Sequence, residues 1–280
     1  AELPVRYLLS HRAGLVGVKK PLAPGSLYDW NLMTEALAEL EPWWTPGEKH
    51  GYHAVTFGFL VGEVVRRISG KSLGTYFREE IAEPLGLDFH IGLPEEHESR
   101  VSPLVQGPVH AGDGPDLFAQ ILEEPESMLA KAFINPPLLP TDANTHAWRV
   151  AEIPAANGHG TASALARIYA ALSLGGEIDG VRVLSPETIE LARTEQSLGP
   201  DAILPLVSRF GLGFQIPPAE EPTGPNFEVF GHAGMGGSYG QADPENRMSF
   251  GYTMNLMHSG AWLVDPRPRA LLRSVYEVLS

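Results

Sequence analysis

Gly231-His232-Ala233-Gly234-Met235-Gly236-Gly237-Ser238 lies among short runs of alternating apolar residues near the end of a 280-residue chain. So many glycines do not suit a helix, and in a strand they mark a place where a second backbone or a ligand comes close. Upstream, Phe210, Leu212, Phe214 and Ile216 alternate with a period of two, which predicts a strand through 210–216. Further strands are expected near 227–230, 237–242 and 248–254, with His232 opening one of them. Asp243-Pro244-Glu245-Asn246 supplies turn chemistry between the last two, so they should pair as an antiparallel hairpin. A closing helix with Leu271, Leu272, Val275, Tyr276 and Leu279 offers an apolar stripe to cover one face of this sheet.

The same stretch contains Gly236-Gly237-Ser238-Tyr239-Gly240, which fits Gly-x-Ser-x-Gly, the nucleophile turn of α/β-hydrolases. That turn needs a buried parallel strand before it, a helix after it, and then an acid followed by a histidine. Here the order Ser238, Asp265, His258 is wrong, and Asp243 lies in the adjoining turn. A glycine-lined strand that lets another backbone or a ligand approach is the better explanation.

Before about residue 200 the apolar spacing is helical. Leu3, Tyr7 and Leu8 share one face of a short helix, and Asp29 can cap a helix carrying Trp30, Met33, Leu37 and Leu40 that Pro42 stops. From about Tyr52, residues Phe57, Leu60, Val61, Val64, Val65 and Ile68 keep helical register until Ser69-Gly70, which sets Tyr52 at a helix entrance. Ser72 caps another helix, closed by Pro84 and Gly86; Thr161 and Ser185-Pro186 start two more. Between 92 and 160 the pattern weakens into short helical pieces near 117–122 and 128–133, an irregular cap or wall. The expected organisation is a mainly helical region over 1–200 bearing Tyr52, with strands and a closing helix over 201–280 completing the same catalytic domain.

The chain has 34 acidic and 20 basic residues and a net charge of -14, which repels phosphate backbones and anionic lipid surfaces. Nucleic-acid and membrane partners are therefore not expected, and no apolar run approaches the roughly 18 residues that span a bilayer. There is no cysteine, so disulfides and thiolate metal sites are excluded. His50 and His53 stand three apart, but no third ligand is placed with them, and exposed or capping histidines are the plainer expectation.

Four pieces stand in order along nearly the whole chain: Leu8-Leu9-Ser10-His11-Arg12-Ala13-Gly14-Leu15; Pro46-Gly47-Glu48 ahead of Gly51-Tyr52; Gly158-His159-Gly160-Thr161-Ala162; and the stretch from Gly231 to Ser238. Together they resemble the β-lactamase-related serine hydrolases, especially the family VIII esterases. The resemblance implies an α+β fold of the β-lactamase/penicillin-binding-protein kind, with an active site between helical region and antiparallel sheet, and small ester or β-lactam substrates. It implies that Tyr52 relays a proton, that the backbone N–H of Met235 is one oxyanion donor, that His232 stands where lactamases carry a lysine, and that Gly234 and Gly236 let the strand lie close to substrate. Ala54 replaces the asparagine that binds the amide of penicillins, and together with His232 this favours a simple ester. For Tyr52 the alternative is a tyrosine anchoring a helix start; for His232, a strand histidine bonded to backbone. Trp43 and Trp44 either line a substrate mouth or pack under a loop. No cofactor is implied, because serine acyl transfer uses side chains and water.

The family's first motif, Ser-x-x-Lys, is absent. The residues three before Lys19, Lys20, Lys49, Lys71 and Lys131 are Val16, Gly17, Pro46, Ile68 and Met128. The opening residues Ala1 to Arg6 carry no leader pattern and read like the middle of a domain. The expectation is a chain met without the segment holding the serine, the lysine and the first strands of the sheet. A complementary segment or second chain would then be its partner, and the sheet would show an unpaired edge or an uncovered apolar face.

Overall fold

The computed structural model describes residues 3–107, 117–137, 142–258 and 264–279. Capping side chains set most helix starts where the spacing predicts them. After α1 (Val5–Leu9), α2 (Trp30–Ala38) begins on Asp29, whose carboxylate accepts the Leu32 N–H at 3.0 Å. Next, α3 (Thr56–Ser69) ends at Gly70, which takes the left-handed backbone that a side chain would resist. It starts later than expected: Gly51 to His53 run as a non-helical approach in which the Gly51 N–H donates to His11 O and the Asp201 carboxylate and His11 ring take the Tyr52 and His53 N–H groups, so Tyr52 precedes the helix.

A helix on Ser72, α4 (Leu73–Phe77), widens into a π turn at Arg78–Ala82 and continues as α5 (Glu83–Leu85), so Pro84 lies inside the helical run and Gly86 ends it. Short helices α6 (Leu117–Glu123) and α7 (Met128–Ile134) lie where helical pieces are expected, and α8 (His146–Val150) follows them. Thr161 and Ser185 then cap α9 (Ala162–Ser173) and α10 (Pro186–Arg193). The main helical core gathers Met33 and Leu37 of α2, Phe59 of α3, and Trp148 and Ile153.

Two-residue strands lie outside the main sheet: β1 (Phe89–His90), β2 (Val105–Gln106), β3 (His159–Gly160), β4 (Glu177–Ile178) and β5 (Val181–Arg182), with β1 on β3 and β4 on β5. The main sheet contains β6 (Ser197–Pro200), β7 (Val207–Phe210), β8 (Phe230–Ala233), β9 (Tyr239–Asp243) and β10 (Met248–Tyr252). Its ladders are antiparallel, and Gln215 bridges Phe210 of β7 to Gly231 of β8. The predicted hairpin is present, in register from Met248 opposite Asp243 to Tyr252 opposite Tyr239. A last short strand, β11 (Leu256–Met257), runs parallel to β2.

Three expectations need correction. The strand through 210–216 is two pieces, because the chain reverses over Gly211 to Gly213 and returns at Gln215; four alternating apolar residues mask the two glycines that allow the turn. The sheet begins before residue 200, in β6. His232 stands late in β8 and does not open it.

Alternation along β9 assigns each face its helix. Gly240 and Ala242 face α9, whereas Tyr239, Gln241 and Asp243 face α11 (Pro266–Leu279). Gly240 pairs directly with Gly251, and a methyl group on either would collide with α9: 2.0 Å from Tyr169 Cε2 in one case, 2.5 Å from Ala162 O in the other. The helix therefore rests on bare strand backbone. Opposite it, Leu272 packs with Tyr239 and Val264, while the Tyr276 hydroxyl donates to the fully buried Asp243 carboxylate at 2.7 Å.

The predicted stripe on α11 is only half used. Leu272 and Tyr276, four residues apart, reach the sheet, but Leu271, Val275 and Leu279 sit on the adjoining face and are exposed. Among the described residues β10 pairs on one side only, and no helix is long and apolar enough to cross a membrane.

Candidate functional site

Tyr52 and His232 arrive from opposite layers, one from the approach to α3 and the other from β8. Their rings stack with centroids 5.9 Å apart and planes inclined by 30°. Phe210 lies parallel to Tyr52 at 6.2 Å, and the His11 ring meets Tyr52 at 5.1 Å and Phe210 at 4.4 Å. Three of the four quoted pieces thus meet here. The piece from Gly158 to Ala162 does not: Gly158 and Gly160 pack against the ring of Phe89, and Thr161 caps α9.

Histidines beneath the site hold loops together. His53 Nε2 accepts the Leu15 N–H at 3.1 Å, which leaves Nδ1–H to donate to Gly51 O at 2.7 Å. Ser208 donates to Asp201 at 2.6 Å, so His50 Nε2–H must be the donor to Ser208 Oγ at 3.0 Å. Both histidines are buried, which corrects the expectation of exposed or capping side chains. No cluster of three or more potential metal ligands occurs among the described residues. In His232, Nδ1–H donates to Ala233 O at 2.6 Å and leaves Nε2 as the acceptor nitrogen.

The electrostatics favour neutral groups. Burial, and secondarily the Asp201 carboxylate, pushes the Tyr52 phenol up to about 12. Burial lowers His53 to about 4, against the opposing effects of its bond to Gly51 O and of Asp201. His11 is held well below the usual imidazole range by burial and then by His53, His232 and His50, and burial lowers His232 as well. Among the described residues, no cation contributes to favouring a Tyr52 phenolate.

The turn after β8 is built from main-chain bonds. The Gly234 N–H donates to Ser238 O at 2.8 Å, and the Gly237 N–H donates back to Gly234 O at 3.1 Å. Between them Met235 starts a 3₁₀ turn with its side chain 55% exposed. Gly236 (φ 85°) and Gly237 (φ 119°) both take positive φ. Arg267 Nη2 donates to Gly236 O at 2.6 Å and pairs with Asp265, and the His258 N–H donates to the same carbonyl at 3.1 Å. Gly234 is open to solvent, whereas Gly236 is buried against Met254 and Met257. Ser238 leads into an antiparallel strand and no helix follows, so the α/β-hydrolase turn is not formed.

Trp44 is 7% exposed and packs with Val16, Ala132 and Ile203, while the Trp43 indole donates to Gly17 O at 2.7 Å. Packing, not a mouth, describes Trp44. Ala54 is also buried, in the turn before α3. A hollow of about 290 Å³ lies beside this cluster, between Glu123, Glu124, Ser127 and Met128 on the wall and Ala202 and Ile203 on the loop after β6. Sequence reading did not single out Asp201 and gave Phe210 only a strand position, because their importance at the site lies in contacts across 149 and 158 residues, and it left His11 without a role.

A helical layer and an antiparallel sheet sharing such a cleft are the architecture of the β-lactamase and penicillin-binding proteins. The chain belongs to the beta-lactamase family: the Beta-lactamase family model matches residues 1–273. It is 36% identical over 269 residues to the Esterase/beta-lactamase LipL of Mycobacterium tuberculosis (strain ATCC 25618 / H37Rv), covering 95% of this chain and 61% of that protein. The chain thus spans about three-fifths of that relative's length. Among solved structures it resembles a family VIII carboxylesterase (37% identity, TM-score 0.87, 98% of this chain and 71% of that one). It also resembles a penicillin-binding protein homologue from Caulobacter crescentus (38% identity, TM-score 0.85, 98% and 70%).

Proposed function

We propose that this chain forms most of a carboxylesterase for small acyl esters, with the nucleophilic serine and its lysine delivered by polypeptide outside these 280 residues. The observation that carries it is the facing pair Tyr52 and His232 beside the Met235 turn. In this scheme the serine oxygen attacks the ester carbonyl and its proton passes through lysine and Tyr52 to the departing alkoxide. Water then attacks the acyl-enzyme and releases the acid. The Met235 N–H stabilises the oxyanion, and Gly234 leaves room for the Ser238 hydroxyl, which a methyl group there would meet at 2.2 Å.

Two features favour an ester over a β-lactam. Ala54 offers no side-chain amide, and a neutral His232 provides no fixed positive charge for a carboxylate. Tyr52 itself supports an external lysine: with its phenol up at about 12, it needs a nearby cation to act as a base near neutral pH.

The test is p-nitrophenyl butyrate turnover by the complete gene product and by the 280-residue chain alone. Turnover by the complete protein, lost about a hundredfold or more in Tyr52→Phe, and none by the chain alone, is expected. Strong turnover by the pure chain as a stable monomer would remove the external nucleophile. The absence of Ser-x-x-Lys also fits a second reading, a non-catalytic binding protein of the same fold; a complete protein without that motif and without turnover would favour it.

A further inference from the structure

We infer that Asp201 is the positioning residue for Tyr52, fixing the backbone beneath the phenol to the loop between β6 and β7 and so setting where the ring stands over β8. The inference deepens the esterase reading and rests on it only for its kinetic consequence.

The Asp201 carboxylate is saturated with partners. Oδ1 accepts the N–H of Tyr52 at 3.0 Å, of Ile203 at 2.8 Å and of Leu204 at 2.9 Å. Oδ2 accepts the Ser208 hydroxyl at 2.6 Å, and Ser208 is in turn held by His50 at 3.0 Å. One end of the chain of bonds is therefore Tyr52's own amide; the other is His50, two residues before it. A second strap runs from the Ala202 N–H to His50 O at 3.2 Å. Gly51 lies between the straps, where a methyl group would stand 3.0 Å from Ala202 Cβ and 3.1 Å from Ile203 Cγ1.

This geometry ties the helical layer to the sheet directly below the candidate site. The Tyr52 ring stacks on Phe210 and His232, meets His11 at a tilt of 55° and packs beside the Trp44 and Ile203 cluster, and such stacking and apolar contacts permit sliding. The charge-assisted amide bond is the directional element that fixes the ring's position. A misplacement of about 1 Å in a reacting group can cost on the order of a hundredfold in rate.

The experiment compares Asp201→Ala, Asp201→Asn and Ser208→Ala by two measurements. Amide hydrogen exchange of Tyr52, referenced to amides inside α3, is read on the chain itself. Ester turnover is read on the complete protein. Asp201→Ala should speed Tyr52 exchange about tenfold or more while the α3 amides hold, because a hydrogen bond to a charged acceptor is lost. It should lower kcat about ten- to a hundredfold with KM within about threefold. Asp201→Asn, which keeps one oxygen acceptor, should restore most of both.

Unchanged Tyr52 exchange and kcat in a folded Asp201→Ala protein would overturn the inference. If Asp201→Ala does not fold, Ser208→Ala decides: it leaves Oδ2 without its hydroxyl and should raise Tyr52 exchange alone, and no change there would sink the proposal. A complete protein without ester turnover defeats the esterase reading, whereas the exchange measurement still decides the role of Asp201.

Discussion

Arg267 reaches from the start of α11 to the carbonyl of Gly236 at 2.6 Å, so the turn that presents Met235 is held by a side chain 31 residues further along. The same guanidinium donates to Leu256 O at 2.7 Å and to Asp265, whose carboxylate is almost fully buried. Arg267→Ala is expected to lower stability by about 1–2 kcal/mol in urea denaturation, because it removes the guanidinium's bonds to a buried carboxylate and two carbonyls while the His258 N–H still reaches Gly236 O. Arg267→Lys should recover less than half, since an ammonium cannot span the three acceptors. A loss under about 0.5 kcal/mol would mean the turn holds itself.

Met235 allows a backbone test of oxyanion stabilisation. It opens a 3₁₀ turn, where proline is tolerated, and Gly234 before it is already extended (φ -113°, ψ 153°), as a residue preceding proline must be. Met235→Pro should keep the melting temperature within a few degrees yet reduce kcat of the complete protein about a hundred- to a thousandfold. Equal kcat in the folded variant would exclude this N–H from the reaction.

The helical layer was legible because caps and spacing are local. Asp29, Ser72, Thr161 and Ser185 each announce a helix that forms, and the turn at Asp243 to Asn246 announces its hairpin. What failed was anything settled between distant segments. Phe210 and Gln215 read as one strand because alternation carries no sign of reversal, and the helix from Tyr52 starts late because Asp201 and His11 compete for its N–H groups. At the site, Tyr52, His232, Gly234 and Met235 were visible as motif residues, but Asp201 has no local signature at all.

Acid should weaken the fold as pH drops below about 6.5, ahead of most carboxylate titration. His53 is lowered to about 4 in the folded chain against an ordinary 6.5. Above 6.5 it is neutral in both states and the stability is fully present. As pH falls from 6.5 towards 4 the unfolded chain binds a proton that the folded one refuses, and about 3 kcal/mol is lost. His11 and His232 shift in the same direction and steepen the loss. Melting temperatures between pH 7.5 and 4.5 should fall accordingly, with a shallower slope in His53→Gln; identical slopes would assign the loss to other groups.

Gly240→Ala would drive a methyl group to 2.0 Å from the Tyr169 ring. A loss of about 1–3 kcal/mol is expected from this overpacking. Combining it with Tyr169→Leu should cost less than the sum of the single changes, because removing the ring opens room for the methyl group. Strict additivity in chemical denaturation would show that the two residues do not press on each other.

Because Gly240 and Gly251 carry no side chain, α9 presses on strand backbone through the Tyr169 ring at one point and through its own backbone at the other, and the gap between helix and strands has no room for a methyl group. β9 begins at the residue after Ser238, so the glycine turn springs from a strand whose distance to α9 is already fixed by that contact.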